Sequence, residues 1–155
     1  MSLARPEPGN INLVTTGAET IVLSQPRGSQ LETDYDFLNL FGGDEETVVL
    51  EAGASLFNKG DPAHTMYVVR SGAVLVHDGG TVFETVMPGG LLGEMAIVDG
   101  APRSAGARAD IASAVIAIDQ KRFLAMVEKT PYFAIRIMRV LTRRLRQTNA
   151  RITNG

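Results

Sequence analysis

The sequence predicts a mainly β domain, a sandwich or barrel of short strands, followed by two C-terminal helices. Three observations lead there. Between about residue 45 and residue 119, short runs rich in β-branched and aromatic residues recur at near-regular spacing, separated by Gly, Pro, Asp and Ser turns. No full helix alternates with these runs, which argues against a parallel α/β sheet. After residue 119 the apolar pattern changes to helical spacing and keeps it to the end.

The elements follow in chain order. Residues 1 to about 32 mix Pro6, Pro8, Gly9, Gly17, Pro26 and Gly28 with polar residues, and no helical period lasts there. A mobile N-terminal arm is expected, with at most a short strand at Ile21-Val22-Leu23. The domain then runs over about 33–152. DYDFLNLF, residues 34 to 41, carries Phe37, Leu38, Leu40 and Phe41 at helix-compatible spacing. Asp34 is its candidate cap and Gly42-Gly43 its stop. The strand candidates are ETVVLE, ASLFNKG, TMYVVRSG, AVLVHDGG, TVFETVMPGG, SAGARAD and ASAVIAID. Gly53, Gly60-Asp61-Pro62, Ser71-Gly72, Asp78-Gly79-Gly80 and Pro88-Gly89-Gly90 punctuate them.

QKRFLAMVEK, residues 120 to 129, reads as a helix with Phe123, Met126 and Val127 on one side. Thr130-Pro131 breaks it, with Thr130 as N-cap and Pro131 as first position of the next helix. That helix, 131 to 152, has a heptad-like seam of Ala134, Met138, Leu141, Leu145, Thr148 and Ile152. Phe133, Ile137 and Val140 form a second stripe. Two stripes suit two partners, the β domain and a second subunit; one wide stripe packed only on the β domain is the alternative. The arginines at 136, 139, 143, 144, 146 and 151 fall mostly off the seam and read as a solvated basic face.

The totals narrow the function. The chain has 155 residues, 45% hydrophobic and 21% charged, which suits one globular domain. A net charge of -2 provides no global field for nucleic acid or an anionic membrane. No apolar window is long enough to span a bilayer, and MSLARPEPGN lacks a signal-peptide core, so the cytoplasm is the expected compartment. The absence of cysteine excludes disulfides, thiolate catalysis and Cys-ligated metals. His64 and His77 have no neighbouring imidazole in sequence, and no metal site is expected. Glu94 and His64 could be imagined as an acid-base pair. Nothing supplies a nucleophile, a metal set or an oxyanion motif, so no enzyme is expected.

One segment carries chemistry. In GEMAIVDGAPRSA, residues 93 to 105, Glu94 and Arg103 sit among Met95, Ala96, Ile97, Val98, Ala101 and Ala105. Charges beside so much apolar surface need each other or a ligand. Gly93 permits close backbone approach. EMAIV can form one helical turn whose first amides lack internal partners and favour an anion. Arg103 offers forked donors suited to phosphate oxygens, and Ser104 adds a hydroxyl. Glu94 would repel a phosphate but can accept from a sugar hydroxyl. One anion beside one hydroxyl describes a ribose cyclic phosphate. Pairing of Glu94 with Arg103 across the turn is the competing reading.

GEMAIVDGAPRSA resembles the phosphate-binding cassette of cyclic-nucleotide-binding domains. These are the modules of bacterial cyclic AMP receptor proteins, regulatory subunits of cyclic AMP-dependent kinase, and cyclic-nucleotide-gated channels. The likeness extends through Gly53, GDPAHTMYVVRSGAV (60 to 74), PGG (88 to 90) and IDQKRF (118 to 123), covering roughly 45 to 150. It implies an eight-stranded β-roll, or jelly roll, with a short N-terminal helix and two C-terminal helices. It implies Glu94 on the ribose 2′-hydroxyl, Arg103 on the cyclic phosphate, Ser104 near the phosphate or base, and the amides of Met95 and Ala96 at the Gly93 turn. RRLRQTNARI is similar to the long helix that closes over the base and dimerises in the bacterial receptors. By that likeness Arg144 lies near the pocket, and Thr148 and Asn149 reach the purine edge across a homodimer. Leu92 replaces the usual aromatic before Gly-Glu, and Gly90 the usual acidic residue after Pro-Gly. No helix-turn-helix precedes Gly155, so a stand-alone sensor is expected, without direct DNA binding or membrane contact, acting through an effector protein or its own oligomer. The implied ligand is cyclic AMP or cyclic GMP, with cyclic AMP favoured. A scaffold of the same fold that has lost nucleotide binding is the alternative function.

Overall fold

A computed structural model of the chain describes residues 12–16, 19–23, 35–43 and 45–154. It divides into two units, residues 1–35 and 36–155. In the first, β1 (Asn12–Thr16) and β2 (Glu19–Leu23) form an antiparallel ladder with Thr16 opposite Glu19 and Asn12 opposite Leu23. The strand expected at Ile21-Val22-Leu23 is therefore the end of β2, and it has a partner that the sequence reading did not expect. The rest of the expected arm lies outside the described residues.

Among the described residues, the second unit holds eight strands in two antiparallel sheets. They are β3 (Thr47–Leu50), β4 (Ser55–Phe57), β5 (Thr65–Ser71), β6 (Val74–Asp78), β7 (Thr81–Val86), β8 (Leu91–Leu92), β9 (Gly106–Ala109) and β10 (Ser113–Asp119). One sheet has the order β3-β10-β5-β8 and the other β4-β9-β6-β7. Each sheet thus joins strands distant in sequence, as a jelly roll requires. Val69, Val74, Val86, Leu92, Ala107 and Val115 form a core cluster drawn from both sheets.

The central strands break simple alternation for a physical reason. Between β5 and β10, Ala114 pairs with Ser71 but Val115 pairs with Val69, so Arg70 is an extra residue in β5. Such a bulge flips the inward phase of the strand. Below the bulge, Val68 and Val69 are both buried, as are their partners Ile116 and Val115, because both faces of these strands are covered: Val69 and Val115 belong to the core cluster, and Val68 and Ile116 point to the opposite face. Arg70 turns its guanidinium to the Gly42 carbonyl at 3.0 Å.

The short N-terminal helix is smaller than predicted, a single 3₁₀ turn at Leu38–Leu40. The Asp36 carboxylate accepts from the Leu38 N–H at 3.0 Å, and the Phe37 N–H goes to the Gly89 carbonyl at 2.8 Å. Tertiary bonds thus take groups that a longer helix would use. The expected cap, Asp34, lies outside the described residues.

Helices α1 (Glu94–Asp99), α2 (Gln120–Lys129) and α3 (Pro131–Asn154) complete the unit. Asp119 caps α2, its carboxylate accepting from the Arg122 N–H at 2.8 Å. Phe133 of α3 meets Phe37 and Phe123 edge to face, with centroids 6.2 and 5.6 Å away. Phe133, Ile137 and Val140 are buried, so this stripe packs on the roll. The seam is different: Met138, Leu145 and Ile152 are 57%, 61% and 73% exposed. No helix among the described residues is long and apolar enough to cross a membrane.

Candidate functional site

The segment from β8 to β9 builds the site. Leu91 and Leu92 pair with Val68 and Tyr67 of β5, which fixes where the cassette begins. Gly93 then turns the chain at φ +78°. A Cβ there would lie 2.6 Å from Nη1 of Arg103, so the position demands glycine on two counts. Helix α1 follows at once and ends at Gly100, whose N–H bonds the Ala96 carbonyl at 2.8 Å. The Asp99 carboxylate accepts from the Ala101 N–H at 2.9 Å and leads the chain back.

The return strand is pinned from the other side. The Arg103 N–H donates to the Asp61 carbonyl at 2.9 Å, and the Gly60 N–H donates to the Arg103 carbonyl at 2.8 Å. The Arg103 side chain is only 6% exposed. Its guanidinium lies 4.1 Å from the Phe57 ring centroid, and Phe57 stacks on Tyr67 with centroids 6.1 Å apart. Nη2 donates to the Thr65 carbonyl at 2.5 Å and Nη1 to the Gly93 carbonyl at 3.1 Å. Nε is buried without a partner among the described residues. Burial lowers the Arg103 pKa from its ordinary value, against the attraction of Tyr67, Asp61 and Glu94. Arginine keeps its charge in proteins regardless.

Glu94 is 1% exposed, and its partner is not Arg103. Its carboxylate accepts from Nη1 of Arg144 on α3. The same guanidinium donates through Nε to Glu84 of β7 at 2.9 Å and through Nη2 to the Leu91 carbonyl at 2.5 Å. Burial disfavours the Arg144 charge, but Glu94 and Glu84 outweigh it and hold the pKa above the ordinary value. The cross-turn pair weighed from the sequence is therefore not formed: Arg103 rests on carbonyls, and Glu94 rests on the C-terminal helix.

These groups line a cavity of about 550 Å³. Gly93, Glu94, Met95, Ala96, Arg103, Ser104, Arg144 and Thr148 all contribute to its wall. Asn149 is outside that lining. Thr148 donates its hydroxyl to the Arg144 carbonyl at 3.0 Å, which leaves its oxygen as an acceptor. His64 is exposed and His77 half-buried; no group of three or more metal-ligating side chains occurs among the described residues.

The sequence reading missed several lining residues. Phe57, which carries the Arg103 guanidinium, and Glu84, which shares Arg144, had no local signal. Gln147 and Arg151 had one: they lie three and seven residues beyond Arg144, on the same helical face. Arg151 donates to the Phe83 carbonyl of β7 at 2.5 Å. Chemically, the cavity offers a buried cation on an aromatic shelf, a buried carboxylate in the same wall, and a largely apolar remainder.

A family model described as the cyclic nucleotide-binding domain matches residues 47–130. An uncharacterized NTE family protein of Mycobacterium tuberculosis is 38% identical over 60% of this chain and 16% of its own length. The cyclic AMP receptor protein of Thermus thermophilus is 33% identical over 63% of this chain and 47% of its own. The chain thus spans less than half the length of these relatives. The crystal structure of Thermus thermophilus catabolite activator protein superposes with a TM-score of 0.64 at 24% identity, covering 82% of this chain and 59% of that one, a likeness of fold.

Proposed function

The chain belongs to the cyclic nucleotide-binding domain family, and from that premise we propose that it is a regulatory module that binds cyclic AMP. The observation that carries this reading is Arg103: a buried guanidinium whose Nε has no partner among the described residues, beside a glycine turn, in a cavity that also holds Glu94. In this reading Arg103 meets the cyclic phosphate, with Ser104 and the amides of Met95 and Ala96 beside it. Glu94 accepts from the ribose hydroxyl. The rest of the cavity packs the base, next to Thr148. Charge-assisted bonds of this kind contribute about 1.5–3 kcal/mol each, enough for micromolar binding when a few combine.

Arg144 joins the cassette to α3, so occupancy can bias the position of that helix through differential affinity for two arrangements. The exposed seam of α3 is proposed as the contact of a homodimer, which would bring Asn149 to the partner's base. The signal would pass to an effector protein in the cytoplasm, with no turnover of the ligand.

Isothermal titration of the purified protein with cyclic AMP and cyclic GMP tests the reading. Saturable binding of one cyclic AMP per chain is expected. One observation favours a second reading, a scaffold that binds no nucleotide: Glu94 and Arg103 both already have protein partners. A folded sample giving no heat with either nucleotide would select it.

A further inference from the structure

The polar side chains of the cavity divide by whether the protein already satisfies them. Glu84 and Glu94 accept from Arg144, and Arg103 donates to two carbonyls. Thr148 donates to the Arg144 carbonyl, Arg151 to the Phe83 carbonyl, and Asp99 accepts from the Ala101 N–H. Two, Ser104 and Gln147, are exposed and hydrogen-bond to no described residue, and Arg103 keeps one open donor in its Nε. Ser104 adjoins Arg103 and belongs to the phosphate end. Gln147 stands on α3 between Arg144 and Arg151, the two guanidiniums that cross from this helix to β7. Those crossings hold its face of α3 toward the roll.

A carboxamide presents one donor group and one acceptor side by side. Adenine answers with an N6 amino donor next to an N7 acceptor, the bidentate match for Gln; guanine shows two acceptors, O6 and N7, on that edge. Resting on the cyclic nucleotide reading above, we propose that Gln147 reads the N6/N7 edge of the base and sets a preference for adenine over guanine. Thr148, its hydroxyl hydrogen already committed, acts beside it only as an acceptor. The remaining lining near these groups, Phe83 and Ile152, is apolar and supplies packing without discrimination between purines.

The test compares Gln147→Met, close in length and without hydrogen-bonding groups, with the parent. Cyclic AMP, cyclic GMP and 7-deaza cyclic AMP are titrated into each by calorimetry. The parent is expected to prefer cyclic AMP over both other ligands. In Gln147→Met, cyclic AMP affinity is expected to fall on the order of ten-fold while cyclic GMP changes little, and the penalty for removing N7 is expected to vanish. A variant that keeps the parent's ratio, or weakens all three ligands equally, overturns the proposal and leaves the cyclic nucleotide reading standing. A parent that prefers cyclic GMP also overturns it. A parent that binds none of the three removes the underlying reading as well.

Discussion

Arg144 on α3 donates to Glu94 on α1, and through this one pair the C-terminal helix reaches the most buried carboxylate of the cavity wall. The partners lie 50 residues apart in sequence. Each has further roles: Arg144 also holds Glu84 and the Leu91 carbonyl, and Glu94 opens α1 directly after the glycine turn. A displacement of α3 therefore changes the charge balance around Glu94, and a ligand that bonds Glu94 changes what Arg144 gains by staying.

Removing one member of this pair is expected to cost more than removing both. Arg144→Met leaves Glu94 buried and uncompensated, a situation that costs about 3 kcal/mol. The double variant Arg144→Met with Glu94→Gln removes the charge as well as its partner, and part of the loss should return. Urea denaturation of the parent, both single variants and the double variant measures the coupling. A single-variant loss below about 0.5 kcal/mol would mean that the pair behaves as an exposed surface bridge.

Arg103 is expected to separate affinity from folding. Arg103→Ala removes the buried cation, and nucleotide affinity should fall at least on the order of a hundred-fold if two charge-assisted bonds are lost. The same change removes bonds to the Thr65 and Gly93 carbonyls and the contact with Phe57, so some stability goes too. Arg103→Lys keeps a charge but not the planar fork, and intermediate affinity is expected. Circular dichroism confirms folding, and calorimetry measures binding. An Arg103→Ala protein that binds like the parent would remove this residue from the site.

The sequence carried the cassette because its chemistry is compressed into thirteen consecutive residues, where a glycine, two opposite charges and a proline stand at telling positions. It did not carry the resting partners of those charges. Arg103 leans on the carbonyl of Thr65, and a carbonyl has no letter of its own in a sequence. Glu94 leans on Arg144, one of several arginines on a helix whose basic face read as solvated. The strands were legible as runs, but β8 has only two residues, too few to alternate. Both faces of β5 are covered, so Met66 to Val69 form a continuous apolar run, which hides the face of each residue. Helix α3 was legible in both stripes because helical spacing over its 24 residues leaves little ambiguity.

Gly93→Ala is expected to damage both stability and affinity. The backbone there is left-handed, which costs a non-glycine residue about 1–2 kcal/mol, and the new methyl would lie 2.6 Å from Nη1 of Arg103. Arg103 must then move or the turn must open. Gly100→Ala is the matched control, since it shares the positive φ but has no atom within 4 Å of an added Cβ. Both variants should melt earlier than the parent, whereas only Gly93→Ala should lose nucleotide affinity beyond what its stability loss explains. Equal affinity losses in the two would assign the effect to α1 as a whole and not to the contact with Arg103.

Leu145 tests whether the exposed stripe of α3 joins two copies. Met138, Leu145 and Ile152 recur every seven residues, and more than half of each side chain's surface is exposed while the neighbouring stripe is buried in the roll. A repeat of seven is what a helix needs to keep a seam facing a second helix. If the seam is the interface of a homodimer, Leu145→Glu places two carboxylates near each other in its middle, and like charges there weaken association. Sedimentation velocity should find a dimer for the parent and a monomer for the variant, with unchanged circular dichroism. Leu145 lies between Arg144 and Arg146 and outside the cavity lining, so the cassette stays intact in the monomer. Should nucleotide affinity nevertheless fall with dimerisation, the base must be completed by the partner's helix, which is the role expected of Asn149; a monomeric parent would exclude that role altogether.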